Sequence, residues 1–316
     1  MFEFEDEKQT LCFNKIKELN CGENSHQNAN LYGYNNEIDW KLLAGFELSY
    51  CEILDATLAL EIATEFYDVS GIISIKNQTP TVVSLGANLD NAFDKAIDSN
   101  PLDTINSIIA LTKEINASLA KKLSTIKPNV ILAPKYETEA IEILKKSNAK
   151  IIQINTEIKN ISKYVQEEIK LTPFGALIQQ KNNKDLDVKT FKVATKKKPE
   201  QREVEDMIFA FKIAKHLKSA TAVIAKDLRT IGLCSNAPSE VSALEVAISK
   251  VCDSTKDSVV AYDNSINTID NIQIIAQNRI SALIQAGGSL KDREIIELAD
   301  KYNISMITTG IRHLKY

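Results

Sequence analysis

Between residues 46 and 66 the chain places Leu48, Leu54, Leu58, Ile62 and Phe66 at helical spacing, with Asp55, Glu61 and Glu65 on the opposite face. The apolar run that follows, SGIISI at residues 70–75, has the length and composition of a buried strand. Short apolar runs recur at residues 105–111 and 130–133, and a helical stretch over 137–146 leads into another run at 150–154. Alternation of this kind predicts an α/β layered architecture. Residues 180–200 interrupt it with a polar stretch that turns basic and closes on Pro199, and read as a solvated connector. The rhythm then restarts: helices over 203–218, 240–250 and 292–302, with strands at 221–225, 258–261 and 280–285. The pattern therefore predicts two α/β lobes, residues 1–179 and 201–316, joined by the 180–200 connector. No fixed-period repeat or low-complexity tract points to a solenoid or a disordered tail.

A chain of 316 residues with 44% hydrophobic content is long enough to bury a sizeable core. Its net charge of −4 and pI near 5.6 argue against nucleic-acid binding, which needs a basic face. The first seven residues are acidic rather than a basic region followed by an apolar run, and no apolar stretch approaches membrane-spanning length. Cys12, Cys21, Cys51, Cys234 and Cys252 are scattered and odd in number, which fits reduced thiols. These features predict a cytoplasmic protein with neither membrane nor nucleic acid as partner.

Three segments carry candidate chemistry. GENSHQ at residues 22–27 suits a tight bend beside a ligand or an ordinary surface turn. AGGS at 286–289 lies between a strand and a helix, so its N–H groups either meet an anion or form a plain turn. TTGIRHL at 308–314 follows an apolar strand and sets Arg312 at a strand end, where α/β sites form and a guanidinium can take a phosphate bidentately. His26, His216 and His313 lack metal-ligand spacing, and His216 reads as a packing or surface residue of a helix. No hydrolase, Walker or kinase signature is present.

Taken together, the segments resemble the formyltransferase half of the AICAR transformylase/IMP cyclohydrolase family of purine (IMP) biosynthesis. GENSHQ (22–27) is similar to GENPHQ, ELSYCEILDA (47–56) to ELSYNNxxDA, SIIALTKEIN (107–116) to GGIIALNREVD, and ILAPKY with EAIEIL (131–144) to VIAPxxxxEALxIL. In the second half, residues 195–227 follow TKRxPxxxExxDLxxAWKVxKHVKSNAIVxAKD, AGGSLKD (286–292) echoes PGGSIRD, and TGIRHLK (309–315) echoes TGVRHF. The resemblance implies an α/β fold of mixed sheets in two cytidine-deaminase-like lobes, arranged as a homodimer with sites at its interface. No HxE or PCxxC string accompanies it, so no zinc is implied. No segment corresponds to the cyclohydrolase domain, and cyclohydrolase activity is not expected.

In this family a lysine–histidine pair in VKHxNPCG transfers the formyl group from 10-formyltetrahydrofolate, as co-substrate, to the amine of AICAR. The corresponding stretch here is IKNQTPTV (75–82): Lys76 is retained and Asn77 stands at the histidine position. Asparagine has no proton equilibrium near neutral pH, and loss of a general base costs about 10²- to 10⁴-fold in rate. The nucleotide-contacting arginine and tyrosine are replaced by Asn20 and Cys21, ahead of the retained Gly22, Glu23 and Asn24. SFGG becomes TINS (104–107), with Asn106 at a glycine; the asparagine of SNA becomes Ala220; a binding arginine becomes Glu240. The folate-side DAFFPxxD becomes DNSINTID (263–270), with Ile266 in place of an aromatic, while Gly310 and Arg312 remain. The reading that follows is a degenerate formyltransferase homologue without bound cofactor. The alternatives are an active formyltransferase, in which Lys76 and Arg312 hold substrate, and a regulatory partner of an intact transformylase.

Overall fold

The computed structural model of the chain describes residues 10–33 and 37–316; the acidic first seven residues lie outside it. The elements in chain order are β1 (Asn14–Leu19), β2 (Ala29–Gly33), β3 (Trp40–Ala44), α1 (Tyr50–Thr64), β4 (Ser70–Lys76), β5 (Thr79–Gly86), α2 (Leu89–Ser99), β6 (Ile108–Leu111), α3 (Ala117–Thr125), β7 (Val130–Ala133), α4 (Thr138–Lys145), β8 (Lys150–Ile154), β9 (Glu167–Thr172) and β10 (Gly175–Gln180). They continue as β11 (Lys192–Val193), α5 (Gln201–Ala214), β12 (Ala222–Lys226), β13 (Arg229–Cys234), α6 (Glu240–Ser249), β14 (Val259–Tyr262), α7 (Asp270–Gln277), β15 (Ala282–Gln285), α8 (Asp292–Lys301) and β16 (Ser305–Thr308).

Twelve of these strands form one mixed sheet in the order β11-β16-β15-β14-β12-β13-β5-β4-β6-β7-β8-β3. The order reads the same from either edge. In each half a hairpin (β4–β5, β12–β13) is followed by three strands parallel to one another (β6–β8, β14–β16), and a short antiparallel strand closes the edge. The halves meet where β5 and β13 run antiparallel, through Arg229 opposite Ser84. Helices α1 and α5 share one face of the sheet and a core that spans both halves, with the Phe66 and Phe209 rings 5.4 Å apart. The other face carries α2–α4 over the first half and α6–α8 over the second. Strands buried on both faces explain why SGIISI and its counterparts read as continuous apolar runs.

Local chemistry sets the element ends. Ser49 caps α1 in a reciprocal capping box with Glu52, so the helix starts at Tyr50 rather than at Phe46. Asp55, on the polar face of α1, does not face solvent alone: its carboxylate accepts the N–H groups of Asn77 and Gln78, at 3.0 and 2.6 Å, and so fixes the two-residue turn between β4 and β5. Asp206 of α5 holds the Asp227–Leu228 turn of the β12–β13 hairpin in the same way, at 3.0 and 2.7 Å. Residues 181–200 are more ordered than a free connector, because β11 joins the sheet edge beside β16. Lys197 likewise reaches Glu203, at 3.6 Å, instead of standing in water.

Candidate functional site

Lys76 ends β4 and Asn77 opens the turn that follows it. Asn77 and Gln78 both have positive φ (52° and 58°), as a two-residue hairpin turn of this twist requires. Asparagine is a favoured residue there, so position 77 holds what the turn alone would select. Lys76 Nζ donates to the Ile105 carbonyl at 3.2 Å, which brings the TINS segment against it. Asn106 has φ 57°, the left-handed region that asparagine tolerates best after glycine. Lys76 and Asn77 line a cleft of about 160 Å³ at the seam between the halves, with Thr81, Asn100 and Lys250 among its other walls. Behind it a chain of hydroxyls links Thr81, Ser74 and Ser107, at 2.7 and 2.8 Å.

A second group gathers beyond the C-terminal ends of β14–β16. Asp263, directly after β14, is fully buried; its carboxylate accepts the Thr221 N–H at 2.9 Å and the Ser219 hydroxyl, and its carbonyl accepts the His313 N–H. The tail is stitched across these strand ends, Thr309 N–H to Gln285 and Gly310 N–H to Ala286. Ala220 lies in the segment that Asp263 fixes, and Ile266 is fully buried with its N–H bonded to Gln285 Oε1 at 2.8 Å. Glu240 is the first residue of α6, after the Ser239 cap. A carboxylate in the first helical turn is favoured by the helix dipole and an arginine is not, so Glu240 again suits the helix by itself. Burial raises the Asp263 carboxyl, its hydrogen bonds oppose the rise, and the nearby Glu240 charge adds to it. Burial and Glu240 also push the Tyr262 phenol far up. The surroundings of Glu240 are thus acidic, while Arg312 stands exposed on the tail.

The remaining candidates lie elsewhere. Asn20, Cys21, Gly22, Glu23 and Asn24 form the loop between β1 and β2, a two-stranded ribbon apart from the main sheet. That loop closes on itself through Gly22 N–H to the Gln27 carbonyl and Asn24 N–H to Gln27 Oε1, a surface-turn arrangement. In AGGS the Gly288 N–H is taken by Asp292 Oδ2 at 2.7 Å, so the anion at that turn is the chain's own carboxylate.

Sequence reasoning passed over two features. Asp263 was legible only as the first residue of the folate-side segment; no local pattern marks it as an organiser of three segments. Glu61 and Glu65, on the face of α1 opposite its apolar stripe, bind Lys181, Lys215 and Lys315 in an ionic cluster, with His216 hydrogen-bonded to Glu65, beside a cavity of about 190 Å³. Burial alone would raise the Glu65 carboxyl, but the His216 hydrogen bond and the Lys215 ammonium hold it at about 2. His216 is engaged with Glu65 through its Nε2, at 3.0 Å, in keeping with a structural role.

A family model described as "AICARFT/IMPCHase bienzyme" matches residues 2–250. The chain belongs to that family of purine biosynthesis. It is 34% identical over 324 residues to the bifunctional purine biosynthesis protein PurH of Bacillus cereus (strain B4264), covering 100% of this chain and 62% of that protein. To the PurH of Acetivibrio thermocellus it is 36% identical over 313 residues, covering 97% and 60%. The chain thus spans about 60% of the length of these relatives. Among solved structures, a putative formate dehydrogenase accessory protein from Desulfotalea psychrophila matches 29% of this chain and 49% of its own, at 18% identity and a TM-score of 0.26, too low to carry an argument. Among the described residues no cluster of metal-ligating side chains occurs, and no helix is long and apolar enough to cross a membrane.

Proposed function

We propose that this chain is an AICAR-transformylase-family protein whose formyl-transfer site has degenerated, so that the fold persists and turnover is impaired or lost. The observation that carries this reading is Asn77. At the position where the family's histidine moves a proton, this chain has a side chain that cannot, in a backbone conformation that asparagine itself favours. Asn106 and Glu240 follow the same rule, each being what the local backbone prefers rather than what an anionic substrate needs. At position 240 an anionic substrate would meet a carboxylate where the family offers an arginine.

We read the two halves as cytidine-deaminase-like lobes, a reading supported by the repeated strand order, and the protein, by its family resemblance and its composition, as a cytoplasmic homodimer. The remaining positions, Asn20, Cys21, Gly22, Glu23, Asn24, Ala220 and Ile266, are then former substrate- and folate-side contacts. One observation favours an active formyltransferase instead: Lys76 keeps its ammonium at the mouth of a cleft. A calorimetric titration of the purified protein with AICAR tests the proposal. No saturable heat is expected from the folded protein; saturable heat that disappears in Lys76→Ala would overturn it.

A further inference from the structure

The hairpin β9–β10 forms a second two-stranded ribbon that pairs with no strand of the main sheet and gives no residue to the three apolar cores. Its cross-strand register runs without a bulge, so it is one unit. Ile169, Leu171, Ala176 and Ile178 share one face, and Leu171 and the tip residue Phe174 stand exposed. Apolar burial therefore does not fasten the ribbon to the body.

Polar contacts do so instead, from the opposite face, which carries Glu168, Lys170 and Gln179. Glu168 and Gln179, bonded to each other at 2.9 Å, wall the cavity of about 190 Å³ that Glu61, Glu65, Lys215 and His216 also line. Lys170 Nζ donates to the Tyr316 carbonyl oxygen, and the tail is held in turn by Lys315 Nζ on the His216 carbonyl, at 3.2 Å. At the base of the ribbon the Lys181 N–H meets the Gln166 carbonyl at 2.7 Å, and the Lys181 ammonium pairs with Glu61. We propose that the β9–β10 ribbon is a lid on this cavity, hinged at Gln166 and Lys181 and latched to the tail by Lys170. Lys170 is exposed, so the latch can be cut without disturbing a core. An isolated two-stranded ribbon is marginal in water, so a ribbon that lifts away loses its own cross-strand bonds and opens its amides to solvent.

Amide hydrogen exchange of the full chain tests it, the natural protein against Lys170→Met. The amides of residues 167–180 should exchange about tenfold faster in the variant, the factor that follows from losing one hydrogen bond of a charged donor. Those of α1 and α5 should keep their rates. Lys215, whose side chain is 8% exposed at the cavity, should also be acetylated faster by a small amine-reactive ester. Lys170→Arg keeps a donor and should restore both rates. Ribbon exchange that Lys170→Met leaves unchanged overturns the latch, and an unchanged rate at Lys215 overturns the lid. Exchange that quickens equally in α5 would mean general loosening of the fold and overturns both.

Discussion

Gly232→Ala is expected to destabilise the protein by about 3 kcal/mol, read from the midpoint of chemical denaturation. A Cβ at position 232 would lie 2.2 Å from the Ala247 carbonyl oxygen and 2.9 Å from a Val251 methyl. The nearer atom belongs to the backbone of α6, so no side-chain rotation relieves the clash, and α6 must move off β13. In the first half, Gly86 at the end of β5 would set its Cβ 2.5 Å from the Ala92 backbone nitrogen of α2, and Gly86→Ala should cost a similar amount. Gly288→Ala provides the contrast. Its Cβ meets nothing within 4 Å, so only the positive φ of 85° is charged against it, about 1 kcal/mol. Equal losses at Gly232 and Gly288 would contradict the packing account of helices α2 and α6.

The second large effect concerns acid stability. His313 is fully buried, its ring 5.1 Å from Phe211 and its Nδ1 2.9 Å from the Asn182 side-chain amide. Burial lowers its pKa from 6.5 to about 4, with the Lys215 ammonium adding to the fall and Glu65 opposing it. The folded state therefore binds the proton less readily than the unfolded chain. Stability from this group is complete above pH 6.5 and drains away as pH falls toward 4, a loss of about 3 kcal/mol in all. Most of that window lies above the range where carboxylates titrate, so it is separable from the Glu65 cluster, whose contribution is lost only as pH falls from 4.5 toward 2. Denaturation curves between pH 7 and 4.5 should show the decline in the natural protein and a flatter profile in His313→Phe, which keeps the ring and removes the titration. An unchanged slope in the variant would assign the acid sensitivity elsewhere.

Much of the architecture was legible in the sequence, and the gaps have physical causes. Helix α1 and strand β4 announced themselves because one carries an apolar stripe and the other is buried on both faces. Helix α2 did not: its buried face is built from Leu89, Ala92, Phe93 and Ala96, and two alanines are a weak apolar signal among charged neighbours. Strand β5 was hidden by Pro80 and its threonines, although it forms the seam between the halves. The ribbons escaped because their apolar residues point outward, against the inside-outside pattern that such reading assumes. At the candidate site, the changed positions were identified by resemblance alone. The helix start at Glu240 was legible in the pattern, whereas the reason for Asn77 and Asn106 became readable only from the backbone, since a positive φ cannot be seen in composition or spacing.

Tetrahydrofolate release from 10-formyltetrahydrofolate in the presence of AICAR tests the degenerate-site account most directly, measured for the natural protein and for Lys76→Ala under the same conditions. The account predicts no release above background in either, from protein that is folded. Release by the natural protein that is abolished in Lys76→Ala would contradict it and restore a working formyltransferase.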